Sequence, residues 1–118
     1  MPHVVFNKKV NLDEFSANFT ENILKTPCLI KLQNIYLDKE KRSALVSVVV
    51  IGDFNQQFFI EIVTRDDKTT LRLLPITDPE KTVGVRFSLG LLASMIQSFD
   101  PDCMITKTNI QEFLIHSN

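Results

Sequence analysis

The segment from Leu12 to about Lys25 has apolar residues at the spacing of an amphipathic helix. Asn11 can cap its first turn, and Glu14 stands where a capping box places a glutamate. Thr26-Pro27 then ends the helix, because the residue before a proline avoids helical backbone angles. The predicted apolar stripe consists of Leu12, Phe15, Phe19 and Ile23.

A longer helix is predicted from about Pro79 to Phe99, capped by Asp78 or Thr77 and ended by Asp100-Pro101. Its apolar positions cover more than half of the circumference, which indicates that neighbouring elements or another subunit cover it. A glycine inside a helix costs about 1 kcal/mol relative to alanine. The presence of Gly90 therefore indicates either a close approach of another backbone segment or a substitution that the fold merely tolerates. The two stripes are Val85, Leu89, Leu92, Ile96 and Phe99, and Phe87, Leu91 and Met95.

The other segments alternate with a period of two, as strands do. In the predicted strand Leu29–Leu37, the alternation of apolar and polar residues shifts by one position at Gln33-Asn34, which predicts a β-bulge. Ala44–Ile51 is nearly all aliphatic, so we expect a central strand covered on both faces. The tail is predicted as a strand over Cys103–Thr108, or as a short helix from Asn109. The other predicted strands are His3–Val10, Leu29–Leu37, Phe58–Val63 and Thr69–Leu74.

These elements predict one α+β domain over residues 1–118. We expect a two-layer sandwich, with a mostly antiparallel or mixed sheet of four to six strands and both helices on one face. The predicted core consists of Phe15, Phe19, Ile23, Val48, Val50, Ile60, Ile62, Leu71, Leu73, Leu89, Leu92 and Ile96.

Charge and composition exclude several classes of protein. The net charge of −1 with mixed signs argues against a nucleic-acid or membrane-surface binder, which would show a basic stripe. No apolar run reaches the roughly 18 residues of a transmembrane helix, and the N-terminus lacks a signal-peptide core. Cys28 and Cys103 are far apart in sequence, so free thiols in the cytoplasm are expected.

Candidate chemistry is sparse. His3 and His116 lie at opposite ends of the chain, and neither shares a metal-ligand spacing with a Cys, Asp or Glu. Glycine-rich phosphate-binding loops are lacking too, because Gly84 and Gly90 fall inside the predicted helix. We therefore expect neither a metal nor an organic cofactor.

The start of the chain, Met1-Pro2-His3, is its most informative feature. A methionine before proline is normally removed, which would leave Pro2 as a free secondary amine. Such an amine can act as a base, because a free α-amino group titrates at roughly 7.7–8.0 before its surroundings lower its pKa.

This start, followed by apolar residues, a capped helix, strands and a second helix, resembles the tautomerase superfamily, and most closely its carboxymethyl-hydroxymuconate isomerase branch. The resemblance implies that Pro2 is a general base, that the chain forms trimers, and that the site lies between subunits. The family usually holds a substrate carboxylate with arginines. Here Arg72 is the best arginine for that role, and Lys31 stands where an arginine would be expected.

Two functions remain open. One is a cofactor-independent keto-enol tautomerase or isomerase, in which Pro2 is the base and Arg72 or Lys31 holds a small acidic substrate. The other is a non-catalytic binding or assembly module. In either case the apolar stripes of the long helix and the Ala44–Ile51 strand predict a homo-oligomer, a dimer or a trimer.

The tautomerase hypothesis predicts that one extra residue before Pro2 abolishes activity on enolised keto acids, because the proline nitrogen becomes a non-basic amide. Circular dichroism should show an unchanged fold. Replacing Arg72 with alanine should weaken substrate binding more than it lowers stability. Activity that survives the extension would contradict a role for Pro2 as base.

Overall fold

Within residues 1–114, which a computed structural model describes, the chain forms seven strands and two α-helices. Short 3-10 turns lie at Pro75–Thr77 and Gln111–Phe113. The strands are β1 (His3–Phe6), β2 (Asn22–Leu24), β3 (Leu29–Leu37), β4 (Ser43–Ile51), β5 (Asn55–Arg65), β6 (Lys68–Leu73) and β7 (Ile105–Thr108), and the helices are α1 (Leu12–Asn18) and α2 (Val83–Phe99).

The described strands form one sheet in the order β2-β3-β4-β5-β6-β1-β7, with every neighbouring pair antiparallel. The predicted α+β class is confirmed, but four to six strands was too low. The missed strand is the edge strand β2, whose three residues are too few to show an alternating pattern. The other edge strand, β7, lies within the predicted strand Cys103–Thr108. Because α2 contacts β1, β3, β4 and β6, the sheet curls around the helix instead of forming a simple two-layer sandwich.

The core lies between the concave side of this sheet and the inner stripe of α2. Leu89, Leu92 and Ile96 are fully buried there. The ring of Phe15 on α1 packs edge-on against Phe99 of α2, with centroids 5.4 Å apart. Ten of the twelve predicted core residues are buried; Phe19 is only half-buried and Ile23 is 45% exposed.

The first helix is shorter than predicted and ends at Asn18 instead of Lys25. The Asn11 cap is confirmed, because its side chain accepts a hydrogen bond from the backbone N–H of Glu14. At the other end, the side chain of Asn18 donates to the Glu14 carbonyl, and the backbone turns extended at Phe19. Asn22–Leu24 then pairs with β3, so strand pairing overrides the helical spacing of Ile23.

The second helix begins at Val83 instead of Pro79, and its cap is Thr82 instead of Asp78 or Thr77. The Thr82 hydroxyl accepts a hydrogen bond from the N–H of Val85. Before the cap, the side-chain amide of Gln56 donates a hydrogen bond to the carbonyl oxygen of Glu80 at 3.0 Å. This contact ties the segment before the helix to β5.

Strand β4 is central, as predicted, but only one of its faces is covered. Val46 and Val48 point into the core and are buried, whereas Leu45 and Val49 on the other face are half-buried. Both helices pack on the core side, so within a single copy β4 is covered on only one of the two faces that the prediction expected to be covered. The predicted bulge is confirmed by a register shift between Leu32 and Asn34.

The tail crosses α2 at Gly90. A side chain at this position would overlap the carbonyl oxygen of Phe113, so close backbone approach accounts for the glycine. The Phe113 ring packs edge-on against Phe87, with centroids 5.1 Å apart, and the Arg86 guanidinium lies 5.6 Å from its centre. The second stripe of α2 is thus partly covered by the chain itself. Both alternatives for the tail occur in short form, as β7 and the turn at Gln111–Phe113.

Replacing Gly90 with alanine should lower the free energy of unfolding by about 1–3 kcal/mol, because the methyl group displaces the tail. This is the net loss, which remains after the roughly 1 kcal/mol that alanine gains over glycine inside a helix. Gly52→Ala is the matched control, since its methyl group would meet only the Cys28 Cβ at 3.8 Å. Urea denaturation measures both variants, and a Gly90→Ala protein as stable as wild type would contradict the contact.

The structure also predicts a loss of stability in alkali. Burial of Cys103, with a smaller contribution from the charge of Asp100, raises the pKa of its thiol from 9.0 to about 11. The unfolded chain then loses this proton at lower pH than the folded chain. The stability that comes from keeping the Cys103 thiol protonated in the folded chain is therefore fully present below pH 9. It is lost as the pH rises through about 11.

Cys103→Ala should remove this part of the pH dependence, a difference of at most about 2 kcal/mol between pH 8 and pH 11. Chemical denaturation at a series of pH values measures it. Ile110→Val is the control, because it truncates a buried side chain without removing a titrating group. Parallel pH curves for wild type and Cys103→Ala would contradict the prediction.

Candidate binding face on the outer side of the sheet

The side of the sheet turned away from α1 and α2, here called the outer face, carries side chains that no helix of residues 1–114 covers. Cross-strand register places them in rows, because directly opposite residues in a sheet point the same way. One row runs across five strands and combines an aromatic, an aliphatic and three polar side chains. Its members are Tyr36, Leu45, Glu61, Arg72 and His3.

An ion pair lies in the middle of this row. The Nε atom of Arg72 donates to the Oε1 atom of Glu61 at 2.7 Å. The side chain of Glu61 is 19% exposed and that of Arg72 is 51% exposed, so the carboxylate is the more enclosed partner. Arg72 therefore already binds a carboxylate of its own chain. Sequence reasoning placed Arg72 on a polar strand face but missed its pairing with Glu61, because the register between β5 and β6 cannot be read from alternation alone.

Apolar side chains surround the ion pair. The rings of Tyr36 and Phe59 meet edge-on with centroids 6.2 Å apart. Tyr36, Leu45, Leu74 and Glu61 line a shallow depression of about 340 Å³. A second depression of about 360 Å³ lies beside it and is lined by Gln33, Ser47, Val49, Gln57, Phe59 and Thr77. The face is therefore broad, shallow and partly apolar, unlike an enclosed pocket for a small substrate.

Pro2 lies on the opposite side of the sheet from Arg72. It is buried, in phase with Val4, whereas His3 pairs with Arg72 and shares its face. The side chain of Asn109 holds this end of the chain, donating to the Met1 carbonyl at 2.7 Å and accepting from the His3 backbone N–H at 3.0 Å. Sequence reasoning missed Asn109, because its partners are more than 100 residues away.

Lys31 is on the outer face, but two strands separate its strand, β3, from the β6 strand of Arg72. It is half-buried opposite Val49 of β4. The structure thus places Lys31 and Arg72 on one face and Pro2 on the other. Within one copy of the chain, the three residues are not brought together.

A separate cleft of about 300 Å³ lies at the start of α2, beside Cys28 and Gly84. Its polar side chains bind one another, since the Thr82 hydroxyl donates to Oε1 of Gln56 at 2.7 Å. Cys28 and Cys103 both carry free thiols. The hydrogen bonds of Gln56 with Thr82 and Glu80 fix the entry into α2.

Within residues 1–114, no three His, Cys, Asp or Glu side chains are grouped closely enough to hold a metal ion. His116 lies outside these described residues. Neither helix in this part of the chain is long and apolar enough to cross a membrane.

No protein-family model, curated protein or solved structure matches the chain. The resemblance to the tautomerase superfamily therefore stays a prediction, and the function is argued from the geometry of the outer face.

Proposed function

We propose that this chain is a non-catalytic assembly module that joins a second copy of itself through the outer face. The observation that carries the proposal is the uncovered apolar surface on that face. Tyr36 is 52% exposed, and Leu45, Val49 and Phe59 are only half-buried although they lie on the central strands. Contiguous apolar patches of this kind mark interaction sites in folded proteins.

The size of the face suits a stable interface. The outer side of the four strands β3 to β6 forms a patch of roughly 20 by 30 Å. The strands lie about 4.8 Å apart, and the longer ones have nine or more residues. With the relief of the side chains, this approaches the roughly 800 Å² per partner of a standard protein interface.

A second copy of the chain suits this surface in chemistry and in charge. Pleated sheets stack face to face about 10 Å apart with their side chains interdigitated, so the central strands of the outer face can pack against the same strands of another copy. The chain has a net charge of only −1, so two copies repel each other weakly. A two-fold dimer is the commonest closed arrangement for such contacts.

The tautomerase hypothesis is the second candidate, favoured by the burial of Pro2. If Met1 is removed, the freed amine would lie in a desolvated position, and desolvation lowers the pKa of an amine. Within one copy Arg72 lies on the other side of the sheet, so the cation that holds the small acidic substrate would have to come from a neighbouring subunit. The extension of the N-terminus described above tests this candidate independently of assembly.

Sedimentation velocity at tens of micromolar tests the assembly proposal. Wild type should be a dimer, and Val49→Lys should be a monomer, because a lysine ammonium in the middle of the interface must be desolvated. Val83→Lys is the matched control, since Val83 is an equally apolar side chain, 51% exposed, at the start of α2 and away from the outer face.

Circular dichroism should show both lysine variants folded, because a lysine stem can lie along the surface with its charge in water. A wild-type protein that stays monomeric at 100 μM or so would overturn the proposal. So would a Val49→Lys protein that is as dimeric as wild type.

A further inference from the structure

Two opposite charges lie at equivalent distances on either side of Ser47. Ser47 is the outer-face residue at the middle of β4. Lys31 lies one strand away on β3, opposite Val49, and Glu61 lies one strand away on β5, opposite Leu45. With strands about 4.8 Å apart and a rise of about 3.3 Å per residue, each charge lies roughly 8 Å from Ser47, in opposite directions.

Both charges have capacity for a further partner. Among the ion pairs of residues 1–114, none includes Lys31. Arg72 binds only the Oε1 atom of Glu61, and the hydrogen bonds of the described chain leave Oε2 to accept another donor. The fixed, largely enclosed carboxylate is a specific acceptor for a lysine that comes from outside the chain.

We propose that two copies stack their outer faces about a two-fold axis that passes over Ser47, so that Lys31 of each copy binds Glu61 of the other. This inference rests on the proposed assembly function and adds its register. The ion pair forms twice, as the symmetry of an isologous interface requires.

Other two-fold arrangements about Ser47 are less favourable. An axis along β4 would set Lys31 against Gln57, and an axis across the strands would set it against Tyr36, so neither supplies a carboxylate. The other diagonal axis would set Lys31 against its own copy and Glu61 against its own copy, which is repulsive. Only the axis perpendicular to the line from Lys31 to Glu61 gives two attractive contacts.

The apolar residues agree with this axis. A residue on a two-fold axis meets its own copy, so the small side chain of Ser47 allows the sheets to approach closely. The same rotation brings Val49 of one copy near Phe59 of the other. The strands of the two sheets then cross steeply, in the orthogonal class of sheet packing.

Mixing two charge-reversed proteins tests the register. In a Lys31→Glu homodimer two carboxylates would meet at each of the two contacts, and in a Glu61→Lys homodimer two ammonium groups would meet there. Each variant alone should have a dimer dissociation constant at least about tenfold higher than wild type, because like charges meet. An equimolar mixture should form a heterodimer that binds much more tightly than either homodimer, within about tenfold of wild-type affinity. Homodimers as tight as wild type, or a mixture that binds no more tightly than the homodimers, would overturn the register.

The two-fold axis determines which side chains meet at the two contacts of the heterodimer. At one contact the wild-type Lys31 of the Glu61→Lys protein faces the wild-type Glu61 of the Lys31→Glu protein. At the other contact the two substituted side chains face each other, a glutamate against a lysine. Both contacts are therefore attractive again.

Sedimentation velocity with one partner fluorescently labelled measures the heterodimer. The control is the exposed pair of Lys41 and Asp13, which lies away from the outer face. Lys41→Glu and Asp13→Lys, alone or mixed, should dimerise as wild type does. If Glu61→Lys unfolds because of its neighbour Arg72, the double variant Glu61→Lys/Arg72→Glu keeps an ion pair of reversed sign and takes its place.

The outcomes separate this inference from the proposed function. If wild type is monomeric, the assembly function itself fails. If wild type forms a dimer that Val49→Lys disrupts, while Lys31→Glu and Glu61→Lys dimerise normally, the outer face is an interface but the register is overturned. Weak homodimers with a strong heterodimer support both.

Discussion

The packing of the inner stripe of α2 into the concave face of the sheet is the contact on which the rest of the structure depends. Leu89, Leu92 and Ile96 are fully buried there, and the helix reaches strands from both halves of the sheet. The curl of the sheet lets this one helix contact strands of both halves. Burial of this apolar surface is the main favourable term of the fold.

The same packing explains why the outer face is uncovered. Within residues 1–114 the chain has one long helix and one helix of seven residues, and both lie on the concave side. No other helix of this part of the chain covers the convex side, although Leu45 and Val49 of the central strand are apolar there. The candidate function follows from this imbalance, because a sheet face with aliphatic and aromatic side chains gains free energy when another surface covers it.

Polar contacts fix the N-terminal segment and the tail within residues 1–114. Asn109 binds the backbone on both sides of Pro2, and the tail crosses α2 where Gly90 leaves room for the Phe113 carbonyl. Both contacts link segments that are distant in sequence. They hold β1 and the described part of the tail against the rest of the fold.

The sequence by itself determined most of the element types, most of the core, the Asn11 cap and the bulge near Gln33. These features depend on local spacing and on the chemistry of single residues, which can be read along the chain. The tertiary structure decided the end of α1, the start of α2, the short edge strand β2 and the pairing of Glu61 with Arg72. It also decided that Pro2 and Arg72 lie on opposite faces. Each of these depends on which strands become neighbours and in which register, because hydrogen bonds between distant segments override local propensity.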